Sequence, residues 1–242
     1  MEPPSPPGAF PDTRWSLILR LRTPANERAA AQALDELCRV YWQPLYAYLR
    51  RTGCDTEAAK DAVQGFLAYF LSQNGFERIG PATGRFRYFL LASVRNYLVS
   101  EARKQNASKR GGDIELVPLN IEQAEAMFQT QAPEPLSPEA AFDRQWAQTV
   151  WTRALAQLRA EQMARGKQRV FEALKHCLTE APGQNHAEVA ARLGLPGPAV
   201  ALAVHRLRRR LRELVLDELR QTLGSDGELQ DELNYFLSIW SR

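Results

Sequence analysis

Apolar residues recur along this chain at intervals of three and four, and no stretch alternates apolar with polar as a half-buried strand would. The pattern therefore predicts an all-α protein. After a Pro-rich start over 1–12, a short helix is expected over Arg14–Arg22, burying Trp15, Ile18 and Leu19. Thr23-Pro24 has the cap-then-proline order that opens a helix. The long helix after it should carry Ala33, Leu34, Leu37, Cys38 and Tyr41 on its inner stripe, with Pro44 interrupting or kinking it. Leu45, Tyr48 and Leu49 continue the line to Arg51, and Gly53 ends it. Asp55 caps the next helix, whose stripe is Ala59, Ala62 or Val63, Phe66, Leu67 and Phe70. Its opposite face presents Glu57, Lys60, Asp61, Gln64 and Ala68, with Asp61 and Gln64 side by side at a spacing of three.

A loop over Asn74–Gly84 leads to the most unusual stretch. Between 85 and 110, Arg85, Arg87, Arg95, Arg103, Lys104, Lys109 and Arg110 face the single acid Glu101, with Phe86, Tyr88, Phe89 and Tyr97 interleaved. As a helix it has an apolar face of Phe86, Phe89, Leu90, Val94, Tyr97 and Leu98, and an outer face of Tyr88, Arg95, Asn96 and Arg103. Two readings fit. One is an ordinary amphipathic helix with a solvated basic face. The other is a nucleic-acid surface, since cations neutralise phosphates and exposed rings stack on unpaired bases.

Beyond Gln105 the composition shifts to Gly111-Gly112 and prolines 118, 133, 135 and 138, a linker with one short helix expected near Ile121–Phe128. Ser137-Pro138 opens the next helix, with Trp146, Val150, Trp151, Ala154, Leu155 and Leu158 at helical spacing. Gly166 separates it from a helix burying Val170, Phe171, Leu174, Cys177 and Leu178. Then comes NHAEVAARLGLPGPAVALAVHRLRRRLRELV. Asn185 and Glu188 make an N-x-x-E capping box, and Gly194 closes the first helix as a left-handed residue. A second helix starts near Gly197-Pro198 with Val200, Val204, Leu207 and Leu211 inside. Helix, short glycine turn and helix make the helix-turn-helix pattern, which any helical hairpin shares. Arg206, Arg208, Arg209, Arg210 and Arg212 trail the second helix, and this weights the pattern toward DNA. Ser225 and Glu228 cap a last amphipathic helix ending in Tyr235, Phe236, Leu237, Ile239 and Trp240.

Composition adds little except by exclusion. A net charge of +3 does not itself point to a partner, whereas the clustering of cations does. Cys38, Cys54 and Cys177 lie far apart without a CxxC pair, and they form no metal-ligand spacing with His176, His186 and His205. No apolar run approaches a membrane span, and MEPPSPPGAFPD is not a signal peptide, so a soluble cytoplasmic protein without cofactor is expected. No P-loop, HExxH or nucleophile elbow is present, and an enzyme is not expected.

Taken together, the motifs resemble those of bacterial RNA polymerase sigma factors of the sigma-70 family, in the small extracytoplasmic-function group. The resemblance covers about Leu34–Arg110 and Ala147–Leu223. It implies two helical domains joined by a linker, the second holding the helix-turn-helix, with a C-terminal helical extension. The expected boundaries are a disordered 1–12, a first domain over 13–110, a linker over 111–137, a second domain over 138–223 and the extension over 224–242. EAAKDAVQGFLAYF (57–70) looks like the helix that docks on core RNA polymerase, which implies core contacts for Asp61 and Gln64. Phe86–Arg103 is similar to the helix that melts and reads the minus-ten promoter element. Asn96 and Arg103 fit its Asn-x-x-x-Asp-x-x-Arg pattern, and Ser100 stands where Asp is usual. By that likeness Arg87, Tyr88, Arg95, Asn96, Arg103 and Lys104 would contact promoter DNA, and the 74–84 loop would help form a pocket for a flipped base.

In the second domain the resemblance implies contact with the minus-thirty-five element through Ala199, His205, Arg206, Arg208, Arg209 and Arg210. Here the chain departs from the family. Ala199, Val200, Ala201, Leu202 and Ala203 occupy the start of the recognition helix, and apolar side chains cannot supply the donor and acceptor pairs that discriminate bases. Weak direct readout, or use of this face for a protein partner, is expected. The partners implied are core RNA polymerase and promoter DNA, both duplex and melted, with control by an anti-sigma protein or by the chain's own C-terminal helix. That helix carries Asp226, Glu228, Asp231 and Glu232. It is expected either to complete the core or to fold back on the second domain and cover its recognition surface. Two further readings stay open: a helix-turn-helix regulator acting without polymerase, and an adaptor derived from a sigma factor.

Overall fold

The computed structural model describes residues 27–72, 85–107, 125–126, 136–179, 186–223 and 226–240; for 27–34, 36, 71–72, 104–107 and 226 it describes the backbone alone. The 1–12 segment, the 14–22 helix, the 74–84 loop, most of the 111–137 linker, Asn185 and Ser225 lie outside these residues. All regular structure among the described residues is helical, so the all-α expectation holds.

The helices are α1 (Glu27–Arg51), α2 (Thr56–Ser72), α3 (Phe86–Ala107), α4 (Pro138–Ala164), α5 (Gln168–Leu174), α6 (His186–Leu193), α7 (Gly197–Arg220) and α8 (Leu229–Trp240). A 3-10 turn extends α5 over Lys175–Leu178, and another precedes α8 over Asp226–Glu228. Their ends follow the sequence signals. Asp55 Oδ1 accepts from the Ala58 amide at 2.8 Å, and Ser137 Oγ accepts from the Ala140 amide at 3.2 Å, each satisfying an orphan donor of the helix start. Gly194 sits at φ 66°, and behind it Leu195 N–H reaches the Ala190 carbonyl at 3.0 Å while Gly194 N–H reaches Ala191 at 3.3 Å. This is a Schellman ending, which requires the left-handed conformation that glycine adopts without steric cost. Pro44 does not interrupt α1. The helix continues through it and forgoes only the hydrogen bond that a proline cannot donate.

Two compact units result, Met1–Gln148 with Arg220–Arg242, and Thr149–Leu219. This division differs from the expected boundaries: α4 passes from one unit into the other, and the C-terminal residues group with the first unit. In that unit α1 is the central element. Leu37, Cys38, Tyr41, Leu45, Tyr46 and Leu49 are all buried, and burial pushes the Cys38 thiol up to about 11. From α2 come Ala59, Val63, Phe66, Leu67 and Phe70, and from α3 come Phe86, Leu90, Leu91 and Val94. The rings of Tyr41 and Phe86 meet edge-on at 5.1 Å, and Tyr97 lies 5.8 Å from Phe66. Tyr97 packs so closely over α2 that a Cβ on Gly65 would lie 2.4 Å from its hydroxyl oxygen. That contact fixes the roll of α3, and so decides which of its residues face outward.

The second unit is built on Val150, Ala154 and Leu158 of α4, Phe171 and Leu174 of α5, Val189 and Ala190 of α6, and Val200, Val204, Leu207 and Leu211 of α7. The α6 and α7 axes are bent 108° apart across the Gly194–Pro196 turn. Among the described residues no single helix is long and apolar enough to cross a membrane.

Candidate nucleic-acid interface

With its apolar face against α1 and α2, α3 turns Tyr88, Arg95, Asn96 and Arg103 outward, and all four are exposed. Lys104 lies in the same helix, but its side chain is outside the described set. Tyr88 is 45% exposed on one side, while its hydroxyl accepts from Arg87 Nη2 at 3.0 Å. Arg95 has two neighbours. Its Nε donates to the Tyr48 hydroxyl at 3.1 Å, and its Nη2 pairs with Glu139 in the first turn of α4. The tyrosine hydrogen bond, then the glutamate, raise the Arg95 pKa above its ordinary value. Glu139 falls below the usual carboxylate range, chiefly because it accepts from its own backbone N–H at the helix start, with Arg95 adding to the effect.

Arg87, expected among the DNA contacts, is completely buried. Its Nη1 pairs with Glu232 of α8, itself fully buried, and its Nε lies 3.5 Å from Asp143 Oδ1 of α4. Its guanidinium carbon sits over three rings: Tyr88 and Trp146, each at 4.4 Å, and Tyr235 at 4.7 Å. Arg85 reaches the other oxygen of Glu232 at 3.0 Å. The Tyr235 hydroxyl donates to Asp143 at 2.5 Å, and Phe236 meets Trp146 edge-on at 6.3 Å. Burial raises the Asp143 pKa, and the Tyr235 hydrogen bond and Arg87 pull the other way. The sequence does not announce Asp143 or the pairing of Glu232 with Arg87, although it carries a signal. Glu232 falls in the stripe Leu229, Leu233 and Phe236 on α8, and Arg87 falls in the stripe Leu90, Leu91 and Val94 on α3. A charge inside an apolar stripe needs a buried partner. The C-terminal helix thus packs within the first unit, against α3 and the start of α4.

On α2, Asp61 is exposed and Gln64 half-buried, side by side as expected, with Lys60 and Glu57 bridged at 3.6 Å beside them. Tyr46 and Arg50 at the end of α1 both hold Glu125, at 2.5 Å and 2.9 Å, which anchors that linker residue. Burial, with the bond to Glu125, pushes the Tyr46 hydroxyl up to about 12.

In the second unit, His205, Arg206, Arg209 and Arg212 line the outer face of α7, continuing the exposed Ala199, Ala201 and Leu202. Two of the expected DNA contacts, Arg208 and Arg210, are half-buried and pair within the unit. Arg210 forks onto both oxygens of Glu161 on α4, at 3.0 Å and 2.7 Å, and also reaches Glu213 at 2.9 Å. Arg208 donates to the Cys177 carbonyl at 2.5 Å. Arg209 pairs with Glu213 on its own helix, at 3.3 Å, and stays largely in solvent.

Among the described residues no group of three His, Cys, Asp or Glu side chains could hold a metal ion. Comparison with protein families, with curated proteins and with solved structures finds no match to this chain.

Proposed function

We propose that this chain is an alternative sigma factor: it binds core RNA polymerase, brings it to a promoter and helps open the DNA strands. What carries this reading is the outward row Tyr88, Arg95, Asn96 and Arg103 on a helix whose opposite face is fixed by packing. Guanidinium groups attract phosphates, and an exposed ring can hold a base removed from the stack, which together offset the cost of unpairing. The Asp61/Gln64 face of α2 supplies a polar surface for the polymerase. The 108° helix pair, with Arg206, Arg209 and Arg212 beyond the turn, would serve as a helix-turn-helix resting on duplex phosphates. Direct base reading there would be slight, because Ala199, Ala201 and Leu202 are the exposed residues at the helix start.

That same apolar start favours a second reading, an adaptor that binds a protein and no longer reads promoters. Substituting Arg95→Ala and Arg103→Ala together separates the two. If the chain is a sigma factor, run-off transcription by core polymerase should fall at least about tenfold, in line with the loss of two charge-assisted contacts. If transcription is unaffected, the adaptor reading stands.

A further inference from the structure

Arg85, just ahead of α3, and Arg87 and Arg95 within it are met by carboxylates from outside that helix. Glu232 holds Arg85 and Arg87, Asp143 adds to Arg87, and Glu139 takes Arg95. If α3 binds nucleic acid, as the proposed function has it, these carboxylates occupy the places of phosphates. The covering element is slight. Helix α8 runs only from Leu229 to Trp240, leaves Asp231, Asn234 and Leu237 exposed, and buries only Glu232, Leu233 and Phe236. A helix this short has little stability of its own and depends on its docking contacts. A buried ion pair gives specificity of docking more readily than net stability, because desolvation offsets most of the attraction. The contact is therefore selective and reversible in design. When α8 leaves, Arg87 loses Glu232 and the Tyr235 ring, while Asp143 and Trp146 of α4 stay beside it.

We propose that α8 and the first turns of α4 form a built-in carboxylate latch that competes with nucleic-acid phosphates for Arg85, Arg87 and Arg95. In the latched chain affinity for nucleic acid is low, and binding requires α8 to let go. By linkage, whatever holds nucleic acid on α3 weakens α8 docking by the same factor.

The test uses the full chain and a fluorescein-labelled single-stranded oligodeoxynucleotide, followed by anisotropy. Glu139→Gln combined with Glu232→Gln should bind about tenfold more tightly than the wild type, within the ordinary range of such couplings. Because loss of the buried charge unsettles the packing around Arg87 in that variant, amide hydrogen exchange of the wild type provides a second measurement. Amides of 229–240 should be protected in the free chain and should exchange faster at saturating oligonucleotide. Equal affinity of variant and wild type, or unchanged protection of α8 in a saturated complex, would overturn the latch. If the wild type binds and Arg103→Ala weakens it while the glutamines change nothing, the latch alone falls. If no form binds the oligonucleotide, the latch is again overturned, while recruitment to polymerase, measured separately, is unaffected.

Discussion

Arg87 and Arg103 show how two arginines of one helix come to have opposite fates. Arg103 projects from α3 at a position no stripe residue shares, and it is exposed; Arg87 stands in the stripe of Leu90, Leu91 and Val94, and it is buried. The buried one depends on Glu232. Replacing Glu232 by Ala leaves a desolvated guanidinium without its main counter-charge, which should cost about 3–5 kcal/mol. Urea unfolding followed by tryptophan fluorescence would measure it, since Trp146 lies against Arg87. Arg103→Ala should change stability by no more than about 0.5 kcal/mol, as surface substitutions do. A large loss on Arg103→Ala, or none on Glu232→Ala, would reverse these assignments.

Among the elements, the helices were legible because their signals are local. The stripe of α2, the Asp55 and Ser137 caps and the Gly194 ending are all set within a few residues of each other. Gly194→Ala places a Cβ in the left-handed region and should destabilise the Thr149–Leu219 unit by about 1–3 kcal/mol. Hydrogen exchange of the α6 and α7 amides would show it as faster opening. The site was only half legible. Tyr88, Arg95, Asn96 and Arg103 turned outward as their spacing indicates, because α3 needs only its own periodicity and the α1–α2 surface to set its roll. Arg87, Arg208 and Arg210 did not, because their directions are set by residues distant in sequence: Glu232, the Cys177 carbonyl and Glu161. Spacing alone does not separate a basic residue that meets a partner within the fold from one that faces solvent. Packing divides the basic residues into structural and solvent-facing members.

Across the whole molecule, the two units have different electrostatic supports. In Thr149–Leu219, the hydrogen bond from Arg210 holds Glu161 below the usual carboxylate range, and the same pairing raises Arg210. Because the folded pKa of Glu161 is depressed, its contribution is fully present above the ordinary carboxylate pKa and is lost as pH falls through the depressed value. Glu161→Gln should therefore lower the stability of this unit at neutral pH and flatten its decline toward about pH 3. Thermal melts across that range would check both; an unchanged decline would place the acid sensitivity elsewhere. Through all of this, the reading that joins the units is recruitment to a polymerase. The most direct measurement is co-elution of the purified chain with bacterial core RNA polymerase, alongside an Asp61→Ala, Gln64→Ala variant. A sigma factor should form a complex that the double substitution weakens, since Asp61 and Gln64 lie side by side away from the buried stripe of α2. Failure of the wild-type chain to co-elute, or a complex indifferent to both substitutions, would contradict that reading.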